Sequence, residues 1–121
     1  MTPTSKYEDL SPEEFRRLGY EVIDWIADYL EDVRSRPVLP DVKPGELVDK
    51  LPASPPEHGS DIEDIFDDFR RIILPHVTHW NHPRFMAYFS ISASAPGILA
   101  EALIAALNTN GMVWKSNPAG T

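Results

Sequence analysis

The chain contains no cysteine, which excludes a disulfide scaffold and thiolate metal sites. A reducing, cytoplasmic setting is compatible with that. No apolar run approaches the roughly 18 residues of a membrane span. The segment Met1 to Asp9 has no apolar stretch of the kind a secretory signal carries. A basic stripe is also missing. The net charge is −8, with 19 acidic and 11 basic residues, so phosphate backbones are repelled and nucleic acid is not an expected partner. A last shortage is local. Residues 75–121 carry only Arg84, Glu101 and Lys115 as charges, yet include Trp80, Phe85, Met86, Tyr88, Phe89, Met112, Val113 and Trp114. A solvent-facing surface needs more charge than that, so something is expected to cover this third, either further chain or a partner subunit.

What is present reads as helix. Ser11 is a good N-cap, Pro12 suits the first helical position and Glu14 completes a capping box. Phe15, Leu18, Val22, Ile26, Tyr29 and Val33 recur at steps of three and four, which predicts an amphipathic helix over about 11–36 closed by Pro37. Half of the 12 prolines fall between Pro37 and Pro56, and 37–59 reads as a linker with room for a short helix over Gly45 to Leu51. A second helix is expected over 60–74, with Ser60 as N-cap, Glu63 as its capping-box partner and Pro75 as its stop. The run Phe85 to Ile91 favours extended structure. A third helix is expected over 94–108; Ile98, Leu99, Leu103, Ile104 and Leu107 make it apolar almost all round, as a buried helix is. The fold class is all-α.

No complete catalytic constellation emerges. His76, His79 and His82 are spaced like metal ligands, but no Asp or Glu lies among them, and an extended backbone would send alternate residues to opposite faces. They read as hydrogen-bonding loop histidines. The acids of 61–68 read as a solvated face. Ser90, Ser92 and Ser94 have no assignable base, and the six glycines form no phosphate-cradling loop. The aromatic, charge-poor stretch from Trp80 to Phe89 is open to three readings: core, interface, or the wall of an apolar ligand pocket.

Several segments resemble one known family. Glu14-Phe15-Arg16-Arg17-Leu18-Gly19 and Val22-Ile23-Asp24-Trp25-Ile26-Ala27-Asp28-Tyr29-Leu30 are similar to the opening helix of the group II pyridoxal-phosphate decarboxylases, whose best-known members act on aromatic L-amino acids. Arg36-Pro37-Val38-Leu39-Pro40 and Lys43-Pro44-Gly45 resemble their linker. Thr78-His79-Trp80-Asn81-His82-Pro83-Arg84-Phe85 and Ala87-Tyr88-Phe89 resemble their hallmark segment. Trp114 and Asn117-Pro118-Ala119-Gly120-Thr121 resemble the stretch that follows. The likeness runs from Leu10 to Thr121.

The resemblance implies that residues 1–121 form a three-helix N-terminal arm of a fold-type I enzyme. Such an arm packs across the two-fold of a homodimer, and the large cofactor domain lies outside this chain. It implies an amino acid converted to an amine and CO2, with pyridoxal phosphate as the electron sink. The expected partners are a second subunit, the remainder of the same chain and a small amino-acid substrate. Lys6, Lys43, Lys50 and Lys115 do not match the family's cofactor lysine, so no catalytic residue is assigned and the chain alone is expected to be inactive. By position, Trp80, Tyr88, Phe89, Ser90 and Ile91 match the family's substrate pocket, and Asn110 and Met112 match positions that reach the neighbouring subunit's pocket. Aromatic decarboxylases usually carry Pro and Thr in place of Ser90 and Ile91, and an aliphatic residue and Phe in place of Asn110 and Met112. Met112 lacks a ring edge to stack on a substrate, and Asn110 needs a polar partner beside an apolar ring. An aromatic substrate is the expectation, and a hydroxylated ring, an indole or a more polar side chain would suit Asn110 better. An aldehyde-forming decarboxylase of the same fold type and a stand-alone helical interaction module are the alternatives.

Overall fold

The computed structural model describes residues 10–120. Met1 to Asp9, including Lys6, and Thr121 lie outside the described residues. The chain divides after Tyr88 into two compact units. Four α-helices and several single turns make up its regular structure, and no strand occurs among the described residues. No helix among them is long and apolar enough to cross a membrane.

In the first unit, α1 spans Pro12–Asp32. The capping box is formed: the Glu14 N–H donates to Ser11 Oγ at 3.3 Å, and the Ser11 N–H donates to Glu14 Oε2 at 3.1 Å. Ser11 Oγ also donates to Glu14 Oε2 at 2.6 Å; this bond first, and the Ser11 N–H second, hold the Glu14 carboxyl below its ordinary pKa. The α-helix ends four residues before the expected Arg36. Val33–Ser35 tighten into a 3₁₀ turn, where Ser35 Oγ donates to the Asp32 carbonyl at 2.9 Å.

The linker contains α2, Glu46–Lys50. Gly45 precedes it with φ +89°, a left-handed conformation that costs glycine no steric strain.

Helix α3 spans Ile62–Asp68, widens into a π turn over Phe69–Ile73 and closes as a 3₁₀ turn over Leu74–His76. The disruption falls just before Pro75, which lacks an N–H and whose ring clashes with a regular helix behind it. The expected Ser60–Glu63 capping box is not formed. Asp61 takes the N-cap position without a side-chain cap bond, and the Glu63 carboxylate is engaged by Arg17 of α1. A charged partner on another helix has displaced a neutral local one.

An aromatic cluster joins α1 to the α3 segment. Trp25 stacks on Tyr29 at 5.4 Å and meets Phe69 edge-on at 5.2 Å, while Phe66 and Phe69 stack at 5.9 Å. Arg70 lies 4.2 Å over the Phe66 ring. Beside this cluster Leu18, Val22, Ile62, Ile65, Phe66 and Phe69 line an apolar groove of about 140 Å³.

The second unit runs from Phe89 and contains α4, Ala95–Leu107. Ser94 Oγ caps it through the Gly97 N–H at 3.2 Å. Asn108 ends it in the left-handed region, φ +47°, its N–H bonded to the Ile104 carbonyl. Within this chain none of the α4 residues is buried, and Leu99, Leu103, Ile104 and Leu107 are exposed, in keeping with a final third whose cover is expected to lie outside the chain.

The aromatic cluster generates the first prediction. Trp25→Ala removes the ring shared by Tyr29, Phe66 and Phe69. It is expected to destabilise the first unit by about 2 kcal/mol, below the range for a fully buried tryptophan because Trp25 is half-buried. Urea unfolding followed by far-UV circular dichroism measures this.

Candidate functional site

The segment after α3 opens with two turns, and the run from Phe85 to Ile91 that follows is neither helix nor strand. The His82 N–H donates to the His79 carbonyl and the Phe85 N–H to the His82 carbonyl, each at 2.9 Å. Pro83 takes the second position of the latter turn, where its fixed φ fits. These turns bring His79 and His82 to the same side, against the C-terminal end of α1, and not to opposite faces.

Both imidazoles are buried, with 5% and 6% exposure. The Tyr29 hydroxyl lies 2.9 Å from His79 Nδ1, and the His79 N–H donates to the Val38 carbonyl at 3.0 Å. His82 receives the Arg84 N–H on Nδ1 at 3.0 Å, so Nε2 carries the proton and donates to the Arg34 carbonyl at 3.3 Å. His76 places Nδ1 2.6 Å from the Ile72 carbonyl. All three histidines are therefore committed to protein hydrogen bonds, the role expected of them.

Burial keeps the Tyr29–His79 pair neutral. It pushes the Tyr29 hydroxyl up from its ordinary pKa. It also lowers the His79 value, with the nearby Arg36 guanidinium and His82 adding to the effect. Arg36 lies with its Cζ 5.2 Å over the Tyr29 ring and its Nε 3.5 Å from Asp32 Oδ2; that Nε is buried and makes no hydrogen bond.

Pinned from beneath at positions 79 and 82, the segment presents aromatic rings outward. Trp80 is 48% exposed; it packs against Phe85 at 4.8 Å and stacks on Tyr88 at 5.7 Å with an interplanar angle of 8°. Tyr88 is 84% exposed and sits at φ +55°, a left-handed backbone that costs a non-glycine residue about 1 kcal/mol. An aromatic stack is worth a similar amount, so the Trp80 contact offsets the strain. Within this chain the Trp80 and Tyr88 rings belong to no core.

Trp80 and Tyr88 are thus brought together in the first unit, while Phe89, Ser90, Ile91, Asn110 and Met112 belong to the second. Phe89, Ser90 and Ile91 are exposed, Phe89 completely at 102%. Met112 is exposed too. Asn110 is a turn former: its Oδ1 accepts the Met112 N–H at 2.7 Å, and its carbonyl accepts from Ser116 Oγ at 3.0 Å. The polar partner that Asn110 requires is thus supplied by the backbone two residues on. Tyr29, Val38 and Arg34 were not among the candidate site residues read from the sequence. Their contribution comes from contacts some 40 to 50 residues away in the chain, such as Tyr29 to His79.

Lys50 Nζ is tied to Glu46 Oε1 at 3.0 Å. The apolar groove has no cation among its lining residues, and a second concavity is lined by Asp64, Asp67, Asp68, Arg70 and Arg71, so neither offers a lysine for pyridoxal phosphate.

Comparison with known proteins gives consistent matches. A family model described as the pyridoxal-dependent decarboxylase conserved domain matches residues 44–121. The aromatic-L-amino-acid decarboxylase of Cavia porcellus is 47% identical over 112 residues, covering 93% of this chain and 23% of that protein. The histidine decarboxylase of Drosophila melanogaster is 45% identical over 108 residues, covering 89% of this chain and 13% of that protein. Among solved structures, Catharanthus roseus tryptophan decarboxylase in complex with L-tryptophan superposes with a TM-score of 0.84 at 38% identity, over 93% of this chain and 24% of that one. Rhodiola rosea 4-hydroxyphenylacetaldehyde synthase does so with a TM-score of 0.82 at 40% identity, over 91% and 24%. The chain therefore spans about a quarter or less of the length of these relatives.

The buried imidazole has a pH consequence. His79 titrates below the ordinary histidine value of about 6.5 in the folded chain, so the unfolded chain takes the proton first. Its contribution to stability is complete above that value and is lost as pH falls from there through the lowered folded-state value. Thermal unfolding of the chain between about pH 7.5 and pH 5 should show a falling midpoint. His79→Asn should flatten that part of the slope, and an unchanged slope in the variant would contradict the assignment.

Proposed function

The chain belongs to the pyridoxal-dependent decarboxylase family, and on that premise we propose that it is the N-terminal dimerisation arm and substrate-pocket wall of an L-amino-acid decarboxylase. The parent enzyme converts an aromatic amino acid to an amine and CO2. Pyridoxal phosphate is held by residues outside this chain, since the lysines here match no cofactor site. The observation that carries the pocket-wall role is the outward-facing Phe85–Trp80–Tyr88 surface, rigidly backed by two buried histidines. A pre-formed, half-exposed indole face suits recognition of a planar ring by offset stacking.

Relatives that act on aromatic amino acids support the substrate class. So does Asn110, whose oxygen is already engaged by the Met112 N–H and therefore does not demand a polar group on the substrate. Met112 supplies a thioether, which contacts aromatic rings favourably and adapts to their shape. The pocket-wall residues on this reading are Trp80, Tyr88, Phe89, Ser90, Ile91, Asn110 and Met112. The arm role rests on the second unit. Phe89, Ile91, Leu99, Leu103, Ile104 and Leu107 of the α4 region, Met112, Val113 and Trp114 are all exposed, and this much apolar surface is covered by a second subunit and by the rest of the enzyme.

A second reading, an aldehyde-forming enzyme, is favoured by the match to the Rhodiola rosea synthase. Assaying CO2, amine and aldehyde together separates the two.

Two tests follow from the primary reading. In the full-length enzyme, Trp80→Ala should raise KM for an aromatic amino acid about three- to tenfold, with cofactor absorbance intact. Loss of bound cofactor at an unchanged KM would sink the pocket-wall role. The chain on its own should self-associate or bind a hydrophobic dye, and a monodisperse monomer that binds none would contradict the arm role.

A further inference from the structure

We infer that Tyr29 and His79 form a buried positioning pair that sets the orientation of Trp80, so that a hydroxyl on α1 tunes substrate affinity without touching substrate. The inference rests on the reading of Trp80 as pocket wall.

Trp80 is attached to the molecule through its neighbours. The residue before it is anchored by two bonds, His79 Nδ1 to the Tyr29 hydroxyl and the His79 N–H to the Val38 carbonyl. Two residues after it, His82 is anchored to the Arg34 carbonyl. All three partners lie on the last turns of α1 or just beyond. The Trp80 N–H itself closes a tight turn onto the Thr78 carbonyl at 3.0 Å, which leaves its backbone little freedom between the anchors.

The two anchors differ in kind. The His82 bond ends on a backbone carbonyl, which no substitution of Arg34 removes. The His79 bond ends on a side chain that is itself clamped: Tyr29 stacks on Trp25 at 5.4 Å, and the Arg36 guanidinium lies over its ring. The Tyr29 hydroxyl is therefore delivered to His79 Nδ1 by a ring that cannot swing away. An unpaired nitrogen on a buried imidazole is costly, so the pair holds the His79 ring at one angle, and the next residue inherits that geometry.

Tyr29→Phe deletes only the hydroxyl and keeps the ring contacts with Trp25 and Arg36. In the full-length enzyme loaded with pyridoxal phosphate, it should raise KM for an aromatic amino acid about three- to tenfold with kcat and cofactor absorbance unchanged. His79→Asn places an amide where Nδ1 stands and should bring KM close to the parent value, whereas His79→Leu should not. The Trp80 indole N–H resonance should shift in Tyr29→Phe and return toward its parent position in His79→Asn. Parental KM in Tyr29→Phe, in an enzyme whose Trp80→Ala variant has a raised KM, would overturn the positioning role and leave the pocket-wall reading standing. Parental KM in Trp80→Ala would overturn both. A fall in kcat with loss of cofactor in Tyr29→Phe would show a general structural role and overturn the inference as well.

Discussion

The first unit depends on the hydrogen bond between the Tyr29 hydroxyl and His79 Nδ1. One face of the Tyr29 ring belongs to the aromatic cluster that joins α1 to α3, through Trp25 and then Phe66 and Phe69. Its hydroxyl holds the turn segment that carries Trp80. A single residue thus connects helix packing to site geometry. The bond is worth more than its formation energy, since breaking it strands an unpaired group where solvent is largely excluded. The same desolvation keeps both partners neutral, so no charge has to be buried to make the joint.

The two units show opposite ways of handling apolar surface. The first covers part of its stripe by packing aromatic rings between helices, and it keeps charged residues such as Arg17 and Glu63 on the outside. The second buries none of its large apolar side chains, although it is held together by caps and by a hydrogen-bonded turn around Asn110 and Ser116. Local bonds define its backbone, but they do not remove apolar area from water. That division matches the charge distribution along the chain: the second unit carries only Glu101 and Lys115 as charged residues and is also the unit without buried apolar side chains.

Features with short-range causes were legible in advance. The Ser11–Glu14 capping box, the start of the third helix near Ser94, its end near Asn108 and the short helix after Gly45 all depend on residues within a turn of one another. Features with long-range causes were not. Glu63 fits a capping box with Ser60 until Arg17, far back in the chain, captures its carboxylate. The run from Phe85 to Ile91 has strand-forming residues, but among the described residues there is no neighbouring strand for it to pair with, and it forms none. Asn110 reads as a polar intruder in an apolar pocket, and its actual partner is a backbone N–H two residues away. That last case was visible in principle, because Asn followed by Gly is a turn signal.

By itself, the sequence determined the helical class, the principal helices and where they start, the family, and the apolar character of the final third. Each follows from composition, periodicity or residue order, which need no knowledge of what lies across space. Only the tertiary structure decided that His79 and His82 face α1, that Tyr29 holds the first of them, and that Trp80 and Tyr88 stack outward over that support. The aromatic stretch noted at the outset for its missing charges is thus a surface with a buried polar foundation. That foundation joins residues some 50 positions apart, and such a pairing exists only once the chain has folded.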